Sequence, residues 1–165
     1  MPHTVVLLID DLHEWTGTEV HLIRLLKRLD RHRIRPVVAV VGRADLAPPF
    51  MAEGIDVVPL QIHRVFAPSG AAGVVRIARL LQREHTSLLI TYHTTSDLMS
   101  PITARLVQHP ILSCQHDENF TKKRLHINVQ HPLNHLLTNM ISISHTITRT
   151  IHRNKKFPLH HNQIM

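Results

Sequence analysis

The stretch that most constrains the fold is an unbroken apolar run near the N-terminus, residues 4–9, which reads Thr-Val-Val-Leu-Leu-Ile. Because the run is rich in β-branched residues and shows no polar alternation, it predicts a strand buried on both faces. It ends in two acids, Asp10 and Asp11, and a polar loop containing Gly17 leads into residues 19–29. Leucines recur there at i, i+3, i+4 and i+7, as on the buried face of an amphipathic helix. Strand, loop and helix in this order indicate the first unit of a parallel α/β sheet.

Five further apolar runs predict the remaining strands, and segments with helical periodicity separate them. This alternation predicts one doubly wound parallel sheet: a single Rossmann-like α/β domain of about six to seven strands, with helices on both faces. The predicted strands are residues 35–41, 55–60, 87–92, 109–114 and 140–144, and the predicted helices are residues 44–53, 69–84, 98–107, 125–139 and 145–154.

Prolines and polar residues set the expected ends of these elements. We expect Pro48 and Pro49 to interrupt the helix at 44–53. Residues 94–97 predict a polar loop and an N-cap, which places Pro101 in the first turn of the helix that follows, where its missing N–H is tolerated. Residues 157–165 are expected to trail off without regular structure.

Length and composition place the chain among globular proteins. The 165 residues suffice for one domain, and 43% are hydrophobic while 19% are charged. The apolar runs are strand-sized, shorter than the ~20 residues of a membrane-spanning helix. Met1-Pro2-His3 leads straight into a strand, so we expect no signal peptide. The single Cys114 excludes an internal disulfide, which is compatible with the cytoplasmic location that we expect.

The chain is basic, with 19 Lys and Arg against 12 Asp and Glu and a formal net charge of +7. This sign favours nucleic acid, anionic lipid headgroups or phosphorylated small molecules as partners. The basic residues are dispersed and aromatic residues make up only 4%, which argues against nucleic acid. Residues 122–124, Lys-Lys-Arg, could attract a phosphate or the anionic inner face of a membrane, but a solvated loop or helix start is the better explanation of so short a run.

Four short sequences lie at the ends of predicted strands in an order that resembles a known family. They read Thr16-Gly17-Thr18-Glu19, Leu89-Ile90-Thr91-Tyr92-His93, Ser113-Cys114-Gln115-His116-Asp117 and Ile141-Ser142-Ile143-Ser144. In this order the sequence resembles the N-terminal half of GT-B-fold glycosyltransferases, in particular the retaining family 4. The family's first loop carries a Gly-Gly-x-Glu-like sequence, so Thr16 stands where a glycine is usual.

The resemblance implies an acceptor-side domain, spanning residues 1–165, of an enzyme that transfers a sugar to an acceptor hydroxyl. It implies a nucleotide-sugar donor as co-substrate and no other cofactor. It also implies that His116 lies at the reaction centre as a catalytic residue and that His93 lines the acceptor side. The family's second domain, which holds the donor with paired acids and a basic residue, is absent from this chain, so we expect no transferase activity from the chain alone.

Each candidate site residue also has a purely structural interpretation. The turn from Thr16 through Gly17 and Thr18 to Glu19 could present backbone N–H groups to an anion, or it could form a capping box of the Ser/Thr-x-x-Glu type. A neutral imidazole at His93 or His116 could accept a hydrogen bond from a sugar hydroxyl, or it could cap backbone groups.

Other candidates have weaker signals. Trp15, Tyr92 and Phe120 could stack on sugar faces or pack beneath loops. Asp10 could orient an acceptor hydroxyl or complement nearby basic loops, and Lys122 could contact a phosphate. His131 and His135 are four residues apart, as metal ligands on a helix can be, but no third ligand is evident, so we expect no metal.

Two functional hypotheses follow. The first is the acceptor-binding half of a retaining glycosyltransferase, with a sugar or lipid-linked acceptor, a nucleotide sugar bound through a missing second domain, and possible self-association through the surface that this domain would cover. The second is a non-catalytic Rossmann-like module that binds a small anion or a partner protein.

Overall fold

The computed structural model describes residues 1–62, 68–115, 129, 132–142, 145, 149 and 162–164. Seven strands and four α-helices lie in these ranges, together with a short 3-10 helix at Asn134–Leu136. The strands are β1 His3–Ile9, β2 Ile34–Val40, β3 Asp56–Pro59, β4 Thr86–Tyr92, β5 Ile111–Gln115, β6 Asn139–Ser142 and β7 Asn162–Ile164; the helices are α1 Gly17–Arg28, α2 Ala47–Ala52, α3 Pro68–Arg83 and α4 Thr94–Val107. Of the predicted helix at 125–139, residues 125–128, 130 and 131 fall outside the described residues, and the described part ends in the 3-10 helix, so that Asn139 already belongs to β6. Of the predicted helix at 145–154, only residues 145 and 149 are described.

The strands form one parallel sheet in the order β3-β2-β1-β4-β5-β6-β7. The prediction of a doubly wound parallel α/β domain is therefore confirmed. The chain builds outward from β1 in both directions, so β1 and β4 are neighbours at the point where the strand order reverses. Ile9 pairs with Val40 on one side and with Tyr92 on the other, which brings the carboxyl ends of the three central strands level.

Both faces of β1 are covered, as the apolar run predicts. Val6 and Leu8 pack on one face in a core that includes Ile77 of α3. Leu7 packs on the other face in a core that includes Leu22 of α1. Each of these side chains is at most 2% exposed. Burial of an aliphatic side chain contributes about 1.5–3 kcal/mol, so the central strand anchors the domain through both layers.

The structure corrects the expected start of α4. The helix begins at Thr94, directly after β4, so residues 94–97 do not form a loop and Pro101 lies well inside the helix. The reason is a cap from elsewhere in the chain: the Asp10 side chain accepts hydrogen bonds from the backbone N–H groups of Thr95 and Ser96. A carboxylate from a distant strand end therefore satisfies N–H groups that local sequence left without a cap.

Three smaller corrections concern element ends. Pro48 and Pro49 do not interrupt a helix, because α2 starts at Ala47 and places them in its first turn. Leu25, expected on the buried stripe of α1, is 38% exposed. The C-terminal segment does not simply trail off, because Asn162–Ile164 pairs with β6 as a seventh strand. Among the described residues, no helix combines the length and apolar character needed to cross a membrane.

Candidate functional site

A crevice of about 330 Å³ opens at the carboxyl ends of β1 and β4, where the strand order reverses. Doubly wound sheets bind their ligands at this position. The end of β1, the loop that follows it, the start of α1 and the junction between β4 and α4 all contribute side chains. The lining residues are Asp10, Asp11, His13, Glu14, Thr16, Glu19, His93 and Thr94. Four of the residues singled out from sequence, Asp10, Thr16, Glu19 and His93, therefore share one crevice.

Asp10 forms the floor between the two central strands. Its Oδ2 accepts a hydrogen bond of 2.8 Å from the Thr95 N–H, and its Oδ1 accepts bonds of 2.7 Å and 2.6 Å from the Ser96 N–H and hydroxyl. Burial raises the pKa of this carboxyl, an effect that the hydrogen bonds from Ser96 and Thr95 reduce. Asp10 thus couples the end of β1 to the N-terminus of α4.

The turn at the start of α1 is a capping box. The Thr16 hydroxyl accepts a 3.3 Å bond from the Thr18 N–H, and the Glu19 carboxylate accepts a 3.0 Å bond from the Thr16 N–H and another from the Thr16 hydroxyl. The structural interpretation of this motif is therefore confirmed. Glu19 is only 5% exposed, so its charge lies against the helix N-terminus, where the helix dipole stabilises it. Gly17 is exposed, with open space where a side chain would start.

His93 occupies a strained position at the end of β4. Its φ is 71° and its ψ is −179°, a backbone conformation that few residues other than glycine adopt. Its carbonyl accepts a 3.2 Å bond from the Asp97 N–H, while its side chain makes no capping hydrogen bond to α4. Strain of this kind persists where the surrounding structure holds it, and it is concentrated at functional sites. His93 is one of the residues that line the crevice.

Two aromatic candidates lie away from the crevice lining. Tyr92 is 2% exposed and packs in the core on the α1 side of the sheet, where its hydroxyl bonds to the Cys114 thiol. Burial raises the pKa of Tyr92 above its ordinary value. Trp15 is 48% exposed, and its ring stacks on Phe50 with centroids 6.1 Å apart. Both side chains therefore have the packing contacts that the structural interpretation expected.

A buried polar cluster that sequence reasoning did not identify lies beneath His93. Asp97, 2% exposed, accepts bonds of 2.7 Å from the Thr91 hydroxyl and 2.8 Å from the Ser113 hydroxyl. It joins β4, β5 and α4 behind the crevice. The signal in the sequence is the presence of Thr91 and Ser113 inside otherwise apolar strands, since buried hydroxyls need partners.

Asp11 fixes the loop on the other side of the crevice. Its Oδ1 accepts a 2.8 Å bond from the Arg43 N–H, and the Arg43 carbonyl accepts a 2.7 Å bond from the Leu12 N–H. A Cβ at Gly42 would lie 2.4 Å from the Asp11 Oδ1, so only glycine allows this approach. A second cavity of about 290 Å³ extends past Asp10 and Asp11 toward Arg43.

The remaining candidates divide into two groups. His116, Phe120, Lys122 and His131 lie outside the described residues, so the convergence of His93 and His116 stays a prediction. Thr18 is buried under the start of α1, and His135 lies in the 3-10 helix. Within the described ranges, no group of three His, Cys, Asp or Glu side chains is arranged to hold a metal ion.

The fold and the crevice define a Rossmann-like α/β domain with a site at its switch point. Neither a protein-family model nor a curated protein matches the sequence. Solved structures do match. HepE from Anabaena, solved with UDP and with UDP-glucose, has a TM-score of 0.80 at 15% identity in its UDP complex, over 97% of this chain and 43% of that protein. A glycosyltransferase from Rickettsia africae has a TM-score of 0.77 at 14% identity, over 98% of this chain and 42% of its own.

More particularly, the chain has the fold of the N-terminal half of GT-B glycosyltransferases, which confirms the resemblance at the level of fold. The same architecture occurs in UDP-GlcNAc 2-epimerase from Methanocaldococcus jannaschii, with a TM-score of 0.63 at 10% identity over 98% of this chain and 45% of that protein. The chain spans less than half the length of each of these structures.

Proposed function

We propose that this chain is the acceptor-binding half of a retaining glycosyltransferase. The observation that carries the proposal is the crevice at the switch point, which brings Asp10, Glu19 and His93 to one edge of a GT-B-type domain. Carboxylate oxygens accept hydrogen bonds from hydroxyls, and a neutral imidazole can accept one as well. A sugar hydroxyl is therefore the kind of group that these side chains would bind and orient.

His116 is the residue that we assign to the reaction centre. It follows directly on Gln115, the last residue of β5, and β5 lies next to β4 in the sheet. In parallel sheets the carboxyl ends of neighbouring strands meet at one edge, so His116 is expected near His93. In the proposed reaction its neutral ring accepts a hydrogen bond from a hydroxyl of the transferred sugar, while Lys122 contributes positive charge toward a phosphate.

The donor is proposed to bind through a second domain. HepE was solved with UDP and UDP-glucose, and this chain matches 43% of it. This supports a nucleotide sugar as co-substrate and predicts that the chain alone transfers no sugar, since the donor and the acceptor must be held together for the reaction. Detectable transfer from UDP-glucose by the purified 165-residue chain would overturn this part of the proposal.

The acceptor is proposed to be a sugar or a lipid-linked sugar, handled in the cytoplasm. Arg76, Arg79 and Arg83 line a groove of about 600 Å³ beside the edge strand β3, and this basic surface supports peripheral contact with an anionic membrane. An apolar groove of about 380 Å³ between α3 and α4 supports association with a further domain or a second copy.

The alternative is a non-catalytic module that binds a small anion or a partner protein, and the structure supports the partner protein better than the small anion. The apolar groove between α3 and α4 fits a protein partner. The small anion is disfavoured, because Asp10 already accepts from first-turn N–H groups of α4 and the negative Glu19 lies at the start of α1.

A binding experiment tests the acceptor site. Amide chemical shifts of the chain would be followed during titration with methyl glucoside, methyl galactoside and methyl mannoside. We expect the shifts to change at residues 10–19 and 93–94, and His93→Ala to weaken binding about fivefold, the loss of one modest hydrogen bond. His32→Ala, an exposed histidine at the opposite edge of the sheet, is the matched control. Shifts confined to another surface, or none with any of the three sugars, would overturn the proposal.

A further inference from the structure

We infer that the crevice takes an uncharged or ammonium-bearing hydroxyl-rich acceptor, binds an amino sugar best, and rejects an acceptor with an anionic group at this position. The inference rests on the proposed acceptor site and adds its charge preference. It stands on one arrangement: both helix N-termini that face the crevice are occupied by carboxylates of the chain itself.

The N-terminus of α4 is occupied by Asp10. Helix N-termini at a switch point ordinarily attract phosphates or carboxylates, because their N–H groups lack partners and the helix dipole is positive there. Here the N–H groups of Thr95 and Ser96 both donate to Asp10, at 2.8 Å and 2.7 Å. An anionic ligand would have to displace a partly buried carboxylate that three hydrogen bonds hold in place.

The N-terminus of α1 is occupied by Glu19. Its carboxylate is 5% exposed and accepts from the backbone N–H of Thr16, which closes the capping box. Acidic side chains from different elements thus lie at both helix starts: Asp10 accepts from first-turn N–H groups of α4, and Glu19 accepts from the N–H of Thr16, the residue before α1. Both residues line the crevice, and a carboxylate oxygen can accept more than one hydrogen bond, so hydroxyl or ammonium donors have acceptors there.

The rest of the lining has the same sign. Asp11 and Glu14 add two further carboxylates, and His13 lies 3.6 Å from Glu14. No lysine or arginine is among the described residues that line the crevice. With histidines neutral, the formal charge of the lining is therefore negative, whereas that of the chain is +7. The acidity is a property of the described lining of this crevice and does not follow from the overall composition, so an ammonium group is favoured over an anion here.

The test compares ligands that differ only in charge at one position. Glucosamine, glucose and glucosamine N-sulfate carry an ammonium, a hydroxyl and an anion at C2; 6-amino-6-deoxyglucose, glucose and glucuronate do so at C6. Titrations of the 165-residue chain at pH 7 would be followed by calorimetry and by amide shifts. We expect the ammonium sugar in at least one series to bind about tenfold tighter than glucose, and the anionic sugar to bind about tenfold weaker or not at all. Added salt should shrink both differences.

Glu14→Gln is the diagnostic variant, because the Glu14 side chain is 68% exposed, so its replacement should disturb the fold little. We expect it to reduce the preference for the ammonium sugar over glucose about threefold, as expected for one exposed charge pair. Glu53→Gln, which removes an exposed carboxylate paired with Lys27, is the control and should change nothing. If all sugars bind equally, or the anionic one binds best, the inference fails while the acceptor site stands. If none binds at the crevice, the proposed function fails with it.

Discussion

The Asp10 carboxylate accepts two hydrogen bonds from Ser96, one from its backbone N–H at 2.7 Å and one from its hydroxyl at 2.6 Å. The two residues lie on neighbouring elements across the switch point, 86 positions apart in the chain. A single side chain therefore fixes where α4 begins and joins it to the end of β1, and it is one of four acids that line the crevice.

Replacing Asp10 tests this relationship. Asp10→Ala leaves the Thr95 and Ser96 N–H groups without their acceptor, so we expect the free energy of unfolding to fall by about 1–3 kcal/mol. Asp10→Asn keeps one acceptor oxygen and avoids burying a charge, so it should cost less than Asp10→Ala. Urea unfolding with an unchanged m-value would give both differences. If Asp10→Ala were as stable as the wild type, water would satisfy the Thr95 and Ser96 N–H groups as well as the Asp10 carboxylate does.

Two glycines of the crevice loops should respond oppositely to alanine. At Gly42 the new Cβ would lie 2.4 Å from the Asp11 Oδ1, so Gly42→Ala should force Asp11 away from the Arg43 N–H and destabilise by about 0.5–1.5 kcal/mol, the net value of that hydrogen bond. At Gly17, the first residue of α1, the Cβ would meet open space, so Gly17→Ala should stabilise by about 0.4–1 kcal/mol. Both substitutions add one methyl group, and thermal or urea unfolding would compare their effects on the free energy of unfolding. Equal effects would contradict the close approach at Gly42.

Glu84 predicts a pH-dependent contribution to stability. Its Oε2 lies 2.5 Å from the Arg35 guanidinium, and this hydrogen bond holds the pKa of the carboxyl below its ordinary value of 4.5. A lowered pKa in the folded state means that the contribution is present above the unfolded-state pKa and is lost as pH falls through the folded-state pKa.

The matching experiment compares Glu84→Gln with the wild type across pH. Because the Arg35 side chain is 39% exposed, we expect a loss of only about 0.5–1 kcal/mol at pH 7. The difference between the two proteins should shrink as the pH falls below about 4.5. Glu14→Gln is the control, because it removes a carboxylate that has no arginine partner among its described contacts. A difference for Glu84→Gln that is constant from pH 7 to pH 3 would exclude the ion pair as its cause.

The sheet could be predicted from the sequence because its signal is local. The apolar run at 4–9 predicts a strand that is buried on both faces, whatever its neighbours in the sheet. Similar apolar runs recur along the chain between helical segments, and this alternation predicts the parallel sheet. The start of α4 could not be predicted, because its cap comes from Asp10, a residue distant in sequence. The position of Tyr92 follows from strand alternation: Thr91 faces Asp97 on one side of β4, so Tyr92 faces the α1 layer on the other.

The crevice was predictable only in part, for a related reason. Strand ends and the Ser/Thr-x-x-Glu pattern located Asp10, Thr16, Glu19 and His93 at one edge, since parallel strands share that edge. The sign of its charge was not predictable from a net charge of +7, because the tertiary structure decides which charged residues line the crevice, and its described lining has four acids and no lysine or arginine. The electrostatic potential in the crevice therefore depends on the charged side chains that line it and not on the net charge of the chain.

Cys114 reports on the packing behind the crevice. It is 4% exposed at the end of β5, and burial, with a smaller contribution from the charge of Asp97, raises the pKa of its thiol to about 12. The thiolate is the reactive form, so at pH 8 the native protein should react with a disulfide reagent at least about 100-fold more slowly than the urea-unfolded chain. Because the chain has one cysteine, the absorbance change is unambiguous. Ser113→Ala, which removes a hydroxyl bonded to Asp97 on the opposite face of β5, should accelerate labelling by loosening the strand that carries Cys114, whereas His32→Ala should not. Rapid labelling of the native wild type would mean that the junction of β4, β5 and α4 opens readily, and that the floor of the crevice is not the fixed platform that binding of a sugar hydroxyl requires.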